Sequence, residues 1–127
     1  MAGCSQCKSP QHEFAIAMAF QPIVDCETGT VFAYEALVRG ENGESAGSVL
    51  SQVDEETRYA FDQQCRVTAI EDAVKAGILE TDARLSINFL PNAVYSPLAC
   101  IQLTLATARA CDLPTDRLLF ELTENER

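Results

Sequence analysis

Hydrophobic residues recur along this chain at two spacings, every second position in short runs and every third or fourth in longer ones, which predicts strands alternating with helices. The clearest short run is Val31-Phe32-Ala33-Tyr34-Glu35-Ala36-Leu37-Val38-Arg39-Gly40, bounded by Thr28-Gly29 before it and Glu41-Asn42-Gly43 after it. Its aromatic and β-branched content predicts a strand. Alternation places Glu35, Leu37 and Arg39 on one face and Tyr34, Ala36 and Val38 on the other. A carboxylate and a guanidinium leaving an apolar strand on the same side are either an ion pair at a strand end or groups kept for a ligand.

The rest of the chain falls into place around that run. Phe14 to Asp25 is apolar up to Gln21-Pro22, and a proline in a strand predicts an edge position. Asp25-Cys26-Glu27-Thr28-Gly29-Thr30 has the turn chemistry of a hairpin, so the first strand should run antiparallel to the second. After the polar loop Gly40 to Gly47, Ser48 is a candidate cap for a short helix through Val53. Asp54, with Glu55 and Glu56 in the first turn, is a candidate start for a longer helix ending at Gly77. Along it, Ala60, Val67, Ile70 and Val74, with Phe61, Cys65 and Ala69, predict the face that packs on the sheet. Leu85 to Leu90 reads as a strand ended by Pro91, and Asn88 in it is a poor strand former: either a buried amide that satisfies backbone groups or a ligand group. A helix from Pro97 to Ala110 follows, with Leu98, Ile101, Leu105 and Ala108 on one side. The last strand, Leu118 to Thr123, carries Glu121 on the face of Leu119 and Thr123.

Charge narrows the function. With 19 acidic and 9 basic residues the chain has a net charge of −10, which argues against a surface that grips nucleic acid. Most of the acids, from Glu41 and Glu44 through Asp54, Glu55, Glu56, Glu71, Asp72, Glu80 and Asp82, are expected on solvated loops and helix faces. Residues 1–13 form a polar segment bearing Cys4-Ser5-Gln6-Cys7 and His12, which is a plain terminal segment, half of a zinc or redox site, or a feature that belongs with a missing partner; no second C-x₂-C or H-x₃-H follows to complete a zinc site. With no secretory signal and no apolar run of about 20 residues, a cytoplasmic location with free thiols is expected.

Phe20-Gln21-Pro22-Ile23-Val24-Asp25, Tyr34-Glu35-Ala36-Leu37-Val38-Arg39-Gly40, Ser86-Ile87-Asn88-Phe89-Leu90-Pro91 and Phe120-Glu121-Leu122-Thr123-Glu124 occur in that order. Together they resemble the EAL domain, the bacterial cyclic di-GMP phosphodiesterase family named for its Glu-Ala-Leu signature. The resemblance covers the chain from Phe20 onward and implies an α/β fold, a variant of the TIM (β/α)₈ barrel whose first strand is antiparallel. Such a barrel takes about 250 residues. The chain of 127 is therefore expected to supply about the first four strands, with residues 14–127 as the N-terminal half of the domain.

Glu35, Asn88 and Glu121 put one oxygen donor near the expected carboxyl end of each of three successive strands, a set suited to a hard cation. The resemblance implies that these residues hold Mg²⁺ or Mn²⁺. It also implies that Gln21, Leu37 and Arg39 contact cyclic di-GMP, with Arg39 on a phosphate, and that Glu124 anchors a loop. The implied reaction is metal-assisted hydrolysis of one phosphodiester bond, giving linear pGpG. The family's later Asp-Asp-Phe-Gly, its lysine and its final glutamate have no counterpart in these residues, so the expectation is a partial domain inactive on its own. The alternative is a non-catalytic regulatory module that binds cyclic di-GMP or a protein partner. In either case the open side of half a barrel is expected to favour self-association or a protein partner.

Overall fold

The computed structural model of the chain describes residues 14–89 and 97–122, with the backbone alone over 97–100. The expectations for residues 1–13, including Cys4, Cys7 and His12, lie outside the described residues, as do those for Leu90, Pro91, Thr123, Glu124 and the Leu98 side chain. Strands β1 (Ile16–Asp25), β2 (Thr30–Gly40), β3 (Arg84–Phe89) and β4 (Leu118–Leu122) form one sheet in chain order. β1 is antiparallel to β2, and β2, β3 and β4 are parallel to one another.

The hairpin forms where its turn residues lie. Asp25 Oδ1 accepts the Glu27 N–H at 2.9 Å, and the Gly29 N–H donates to the Asp25 carbonyl at 2.8 Å. Pro22 lies inside β1, as its edge position allows. Side chains reach the outer edge of β1 and the residue leading into it. Gln64 accepts the Phe14 N–H at 2.9 Å and donates to the Phe14 carbonyl at 2.7 Å, while Asp72 accepts the Met18 N–H at 3.1 Å. Asp72 is thus a structural carboxylate rather than one more solvated acid.

Helices α1 (Ala46–Leu50), α2 (Arg58–Ala76) and α3 (Pro97–Ala110) connect the strands. Two boundaries differ from the sequence reading. The cap of α1 is Ser45, whose Oγ accepts the Ser48 N–H at 3.1 Å, and the helix ends at Leu50 rather than Val53. α2 starts at Arg58, because Asp54 turns its side chain onto Thr57: Oδ1 accepts the Thr57 N–H at 3.0 Å and the Thr57 hydroxyl at 3.0 Å, closing a turn before the helix. These bonds, the backbone one first, hold the Asp54 carboxyl below its ordinary value of 3.8. What they contribute is complete above that value and is lost as pH falls through the lower folded value. At the other end Gly77 takes φ 104°, the left-handed geometry that lets a glycine close a helix, and α2 stops where the sequence predicts.

The core lies between the sheet and α2 and α3. Ala36, Leu85, Ile87 and Leu118 of the strands meet Ala69, Ile70 and Ala73 of α2 and Ala108 of α3. A second cluster joins Ile16, Val49 and Phe61 beneath α1. Ile70, Phe61 and Ala69 are buried as the helical spacing predicts, whereas Ala60 and Val67 are only partly so. The spacing did not anticipate the polar stripe beside them: Asp62, Gln63 and Arg66 of α2 and Thr104 of α3 are all buried. Arg66, fully enclosed, pairs with Asp62. It also donates from Nε to Thr104 at 2.9 Å and from a terminal nitrogen to Gln63 at 2.9 Å. Its guanidinium lies 4.1 Å from the centre of the Phe89 ring. One side chain thereby joins α2, α3 and the end of β3.

The same surroundings act on Cys65. Burial, with the neighbouring Asp62 charge adding to it and Arg66 opposing, pushes its thiol up to about 12, so it stays protonated at neutral pH. Cys26 and Cys111 are also free thiols, the former exposed in the hairpin turn. No helix among the described residues is long and apolar enough to cross a membrane.

Removing a buried guanidinium takes the opposite charge away from the carboxylate it pairs with, at a cost of about 3–5 kcal/mol. Arg66→Ala is expected to lower the urea midpoint by a corresponding amount. Asp62→Asn combined with Arg66→Met, which leaves no unpaired charge, is expected to recover most of it. Equal loss in the single and double variants would show that packing volume, not the charge pair, carries the effect.

Candidate functional site

Alternation gives the sheet a second face, turned away from the helices. On β2 it carries Glu35, Leu37 and Arg39, while Tyr34, Ala36 and Val38 join the core clusters. On β3 it carries Ser86 and Asn88, on β4 Leu119 and Glu121. The strand register brings these together. Glu35 is level with Gln21 of β1 on one side and Ser86 of β3 on the other, and Asn88 is level with Glu121. Gln21 is thus mid-strand and shares a face with Glu35. Glu35 also lies midway along an eleven-residue strand, rather than at its carboxyl end.

The contacts are specific. Asn88 Nδ2 donates to Glu35 Oε2 at 3.2 Å and, more weakly, to the Ala36 carbonyl at 3.4 Å. Asn88 is therefore engaged with a neighbouring carboxylate as well as with backbone. Ser86 Oγ lies 2.5 Å from Glu121 Oε2, a short hydrogen bond to a carboxylate. Sequence reasoning placed Ser86 on the Asn88 face but gave it no role. The available signal was two polar residues at i and i+2 in an otherwise apolar strand.

Arg39 donates to the carbonyl of its neighbour Val38 at 2.7 Å. Among the described residues the ion pair present is Asp62–Arg66, so the Glu35–Arg39 pair, one of the two sequence alternatives, does not form. Behind the site, between the ends of β2 and β3 and helices α1 and α2, is a cavity of about 220 Å³. It is bordered by Leu37, Arg39 and Asn88 and otherwise lined mainly by apolar side chains of the core. Gly40, which closes β2, is needed there because the Glu44 side chain folds back against it and occupies the space of a Cβ.

The donor set fits a hard divalent cation. No three His, Cys, Asp or Glu side chains gather among the described residues, and the third donor here is the Asn88 amide. The hydrogen bonds engage Oε2 of Glu35, Nδ2 of Asn88 and Oε2 of Glu121. Glu35 Oε1, Asn88 Oδ1 and Glu121 Oε1 accept no hydrogen bond from any other described residue, and carboxylate and amide oxygens are what Mg²⁺ and Mn²⁺ take.

Comparison with known structures places this sheet in a larger one. The standalone versatile EAL protein of Vibrio cholerae O395, solved in its c-di-GMP-bound form, is 54% identical over 92% of this chain and 48% of its own, with a TM-score of 0.85. Klebsiella pneumoniae BlrP1, solved as a manganese/cy-diGMP complex at pH 6, is 29% identical over 91% of this chain and 30% of its own, with a TM-score of 0.77. The Xanthomonas citri FimX EAL domain, solved with c-diGMP, is 16% identical with a TM-score of 0.67 and shares the fold. No curated protein matches the chain. The chain spans about half the length of the Vibrio protein and less than a third of BlrP1. Its four strands, the first antiparallel and the others parallel, are part of an EAL-type TIM barrel. Residues 10–127 match the family model described as EAL domain, and the chain belongs to the EAL domain family.

Proposed function

We propose that this chain carries the first half of a cyclic di-GMP phosphodiesterase site, in which Glu35, Asn88 and Glu121 hold Mg²⁺ or Mn²⁺ and Gln21, Leu37 and Arg39 contact the dinucleotide. The observation that carries the reading is the bond from Asn88 to Glu35 on the face that Asn88 shares with Glu121. A sheet that needed only to be stable would set apolar residues at these positions. The relatives solved with cyclic di-GMP, one of them with manganese, support the ligand and the class of cation.

A bound cation would polarise phosphate oxygens and lower the pKa of the attacking water. The chain's own residues do the positioning. Glu35 and Glu121 supply negative charge to a cation, and Asn88 fixes Glu35 in place. Arg39, with N–H groups beyond the one given to Val38, orients a phosphate by paired hydrogen bonds. Leu37 offers an apolar contact, and Gln21, level with Glu35, offers an amide to the ligand. Glu124, outside the described residues, is proposed to anchor a loop beside the site. Three oxygen donors are half of an octahedral set, so residues 1–127 by themselves are proposed to bind a cation without completing hydrolysis.

Titration with Mn²⁺ tests the assignment. Glu35→Ala, Asn88→Ala and Glu121→Ala are each expected to weaken binding at least ten-fold, since each leaves too few ligands to replace the cation's water. Variants that bind Mn²⁺ as the parent does would overturn the ligand set.

Chromatographic assay of the 127-residue polypeptide with cyclic di-GMP and Mn²⁺ is expected to show no pGpG above background. Turnover that disappears in Glu35→Ala would show that four strands suffice.

Among the described residues nothing pairs with the outer edge of β4, and Leu122 is 69% exposed. An unpaired parallel edge beside half-buried Leu119, on a face that also carries half-buried Leu37, is a template for association. The 127-residue polypeptide is proposed to self-associate there, or to bind a protein that supplies further strands. Sedimentation is expected to show a mass that rises with concentration. A concentration-independent monomer with strong amide protection over residues 118–122 would show that the chain covers this edge itself.

A further inference from the structure

We infer that Ser86 is a positioning residue that holds Glu121 to a single free oxygen and so biases the site toward small cations. The inference rests on the assignment of Glu121 as a ligand. Ser86 is fully buried at the centre of β3, level with Glu35 on one side and Leu119 on the other. Alanine would fill the same place with less desolvation, and a buried hydroxyl is costly unless it is bonded. Its bond goes to Glu121 Oε2, at 2.5 Å.

The bond restricts what Glu121 can offer. A carboxylate pinned at one oxygen by a buried hydroxyl loses freedom to rotate and presents its other oxygen preferentially, which disfavours chelation through both. Glu35 is restricted likewise, its Oε2 taken by Asn88. Two single carboxylate oxygens and one amide oxygen suit Mg²⁺ and Mn²⁺, which demand a near-octahedral shell of short bonds. Ca²⁺ takes more ligands at longer distances and readily accepts a carboxylate through both oxygens. Partners of this kind behind a ligand typically change metal affinity 10- to 100-fold.

Calorimetric titration of the chain with Mn²⁺ and with Ca²⁺ separates this from a structural role. The parent is expected to prefer Mn²⁺. Ser86→Ala, which removes one oxygen atom and leaves the packing, is expected to lose about ten-fold in Mn²⁺ affinity while Ca²⁺ affinity holds or rises, so the preference shrinks. In a Glu121→Gln background the same substitution is expected to change neither. An unchanged Mn²⁺ to Ca²⁺ ratio in Ser86→Ala, or equal losses in both backgrounds, would overturn the role of Ser86 and leave the ligand set standing. Full Mn²⁺ affinity in Glu121→Gln, or no Mn²⁺ binding by the parent, would overturn the ligand assignment and this inference with it.

Discussion

A positive charge with no exposed surface sits where α2, α3 and β3 meet, and the arrangement of the helices depends on its being satisfied. Arg66 is enclosed by Asp62, Gln63, Thr104 and the face of Phe89. An apolar contact tolerates sliding, but a guanidinium whose donors are met by partners on two helices fixes their rotation and height against each other. Phe89 is the residue after Asn88, so the register of the helices reaches the site through a ring stacked on a cation. The opposite end of the parallel strands is fixed in a similar way. Arg117 donates to the carbonyls of Ile78, Thr81 and Ala83 at 3.1, 2.9 and 3.1 Å, tying the approach to β4 to that of β3.

With both ends fixed, the two faces of the sheet take different work. The helix side is closed by Ala36, Leu85, Ile87 and Leu118, and the other side carries the oxygen donors. Each donor group has one atom engaged by a neighbour of the same sheet: Glu35 by Asn88, and Glu121 by Ser86. These contacts cross between strands far apart in sequence but adjacent in space. The geometry therefore exists only once β2, β3 and β4 are in register. Folding and the placement of these side chains are the same event.

What the sequence disclosed follows from what periodicity reports. Alternation along β2 and β3 separated Glu35 and Asn88 from the core because a strand has only two faces, and turn chemistry located the hairpin because Asp25 and Gly29 act locally. The start of α2 was misplaced for a local reason too: Asp54, Glu55 and Glu56 look like a first helical turn, but Asp54 bonds Thr57 outside the helix. Arg66 and Ser86 were hidden for a different one. Asp62 and Arg66 at i and i+4 read equally well as a solvated helix pair, and the partners that mark them and Ser86 as interior, Thr104 and Glu121, lie 38 and 35 residues away. The resemblance supplied roles for Gln21, Leu37 and Arg39 that no spacing reveals. The structure puts Gln21 and Glu35 on opposed positions.

The two edges of the sheet are guarded unequally. Asp72 takes the Met18 N–H, Pro22 brings no N–H, and just before the strand Gln64 occupies both backbone groups of Phe14. β4 has no such guard among the described residues. A strand approaching β1 would first have to displace a carboxylate from its backbone, whereas one approaching β4 would meet no such competitor among the described residues.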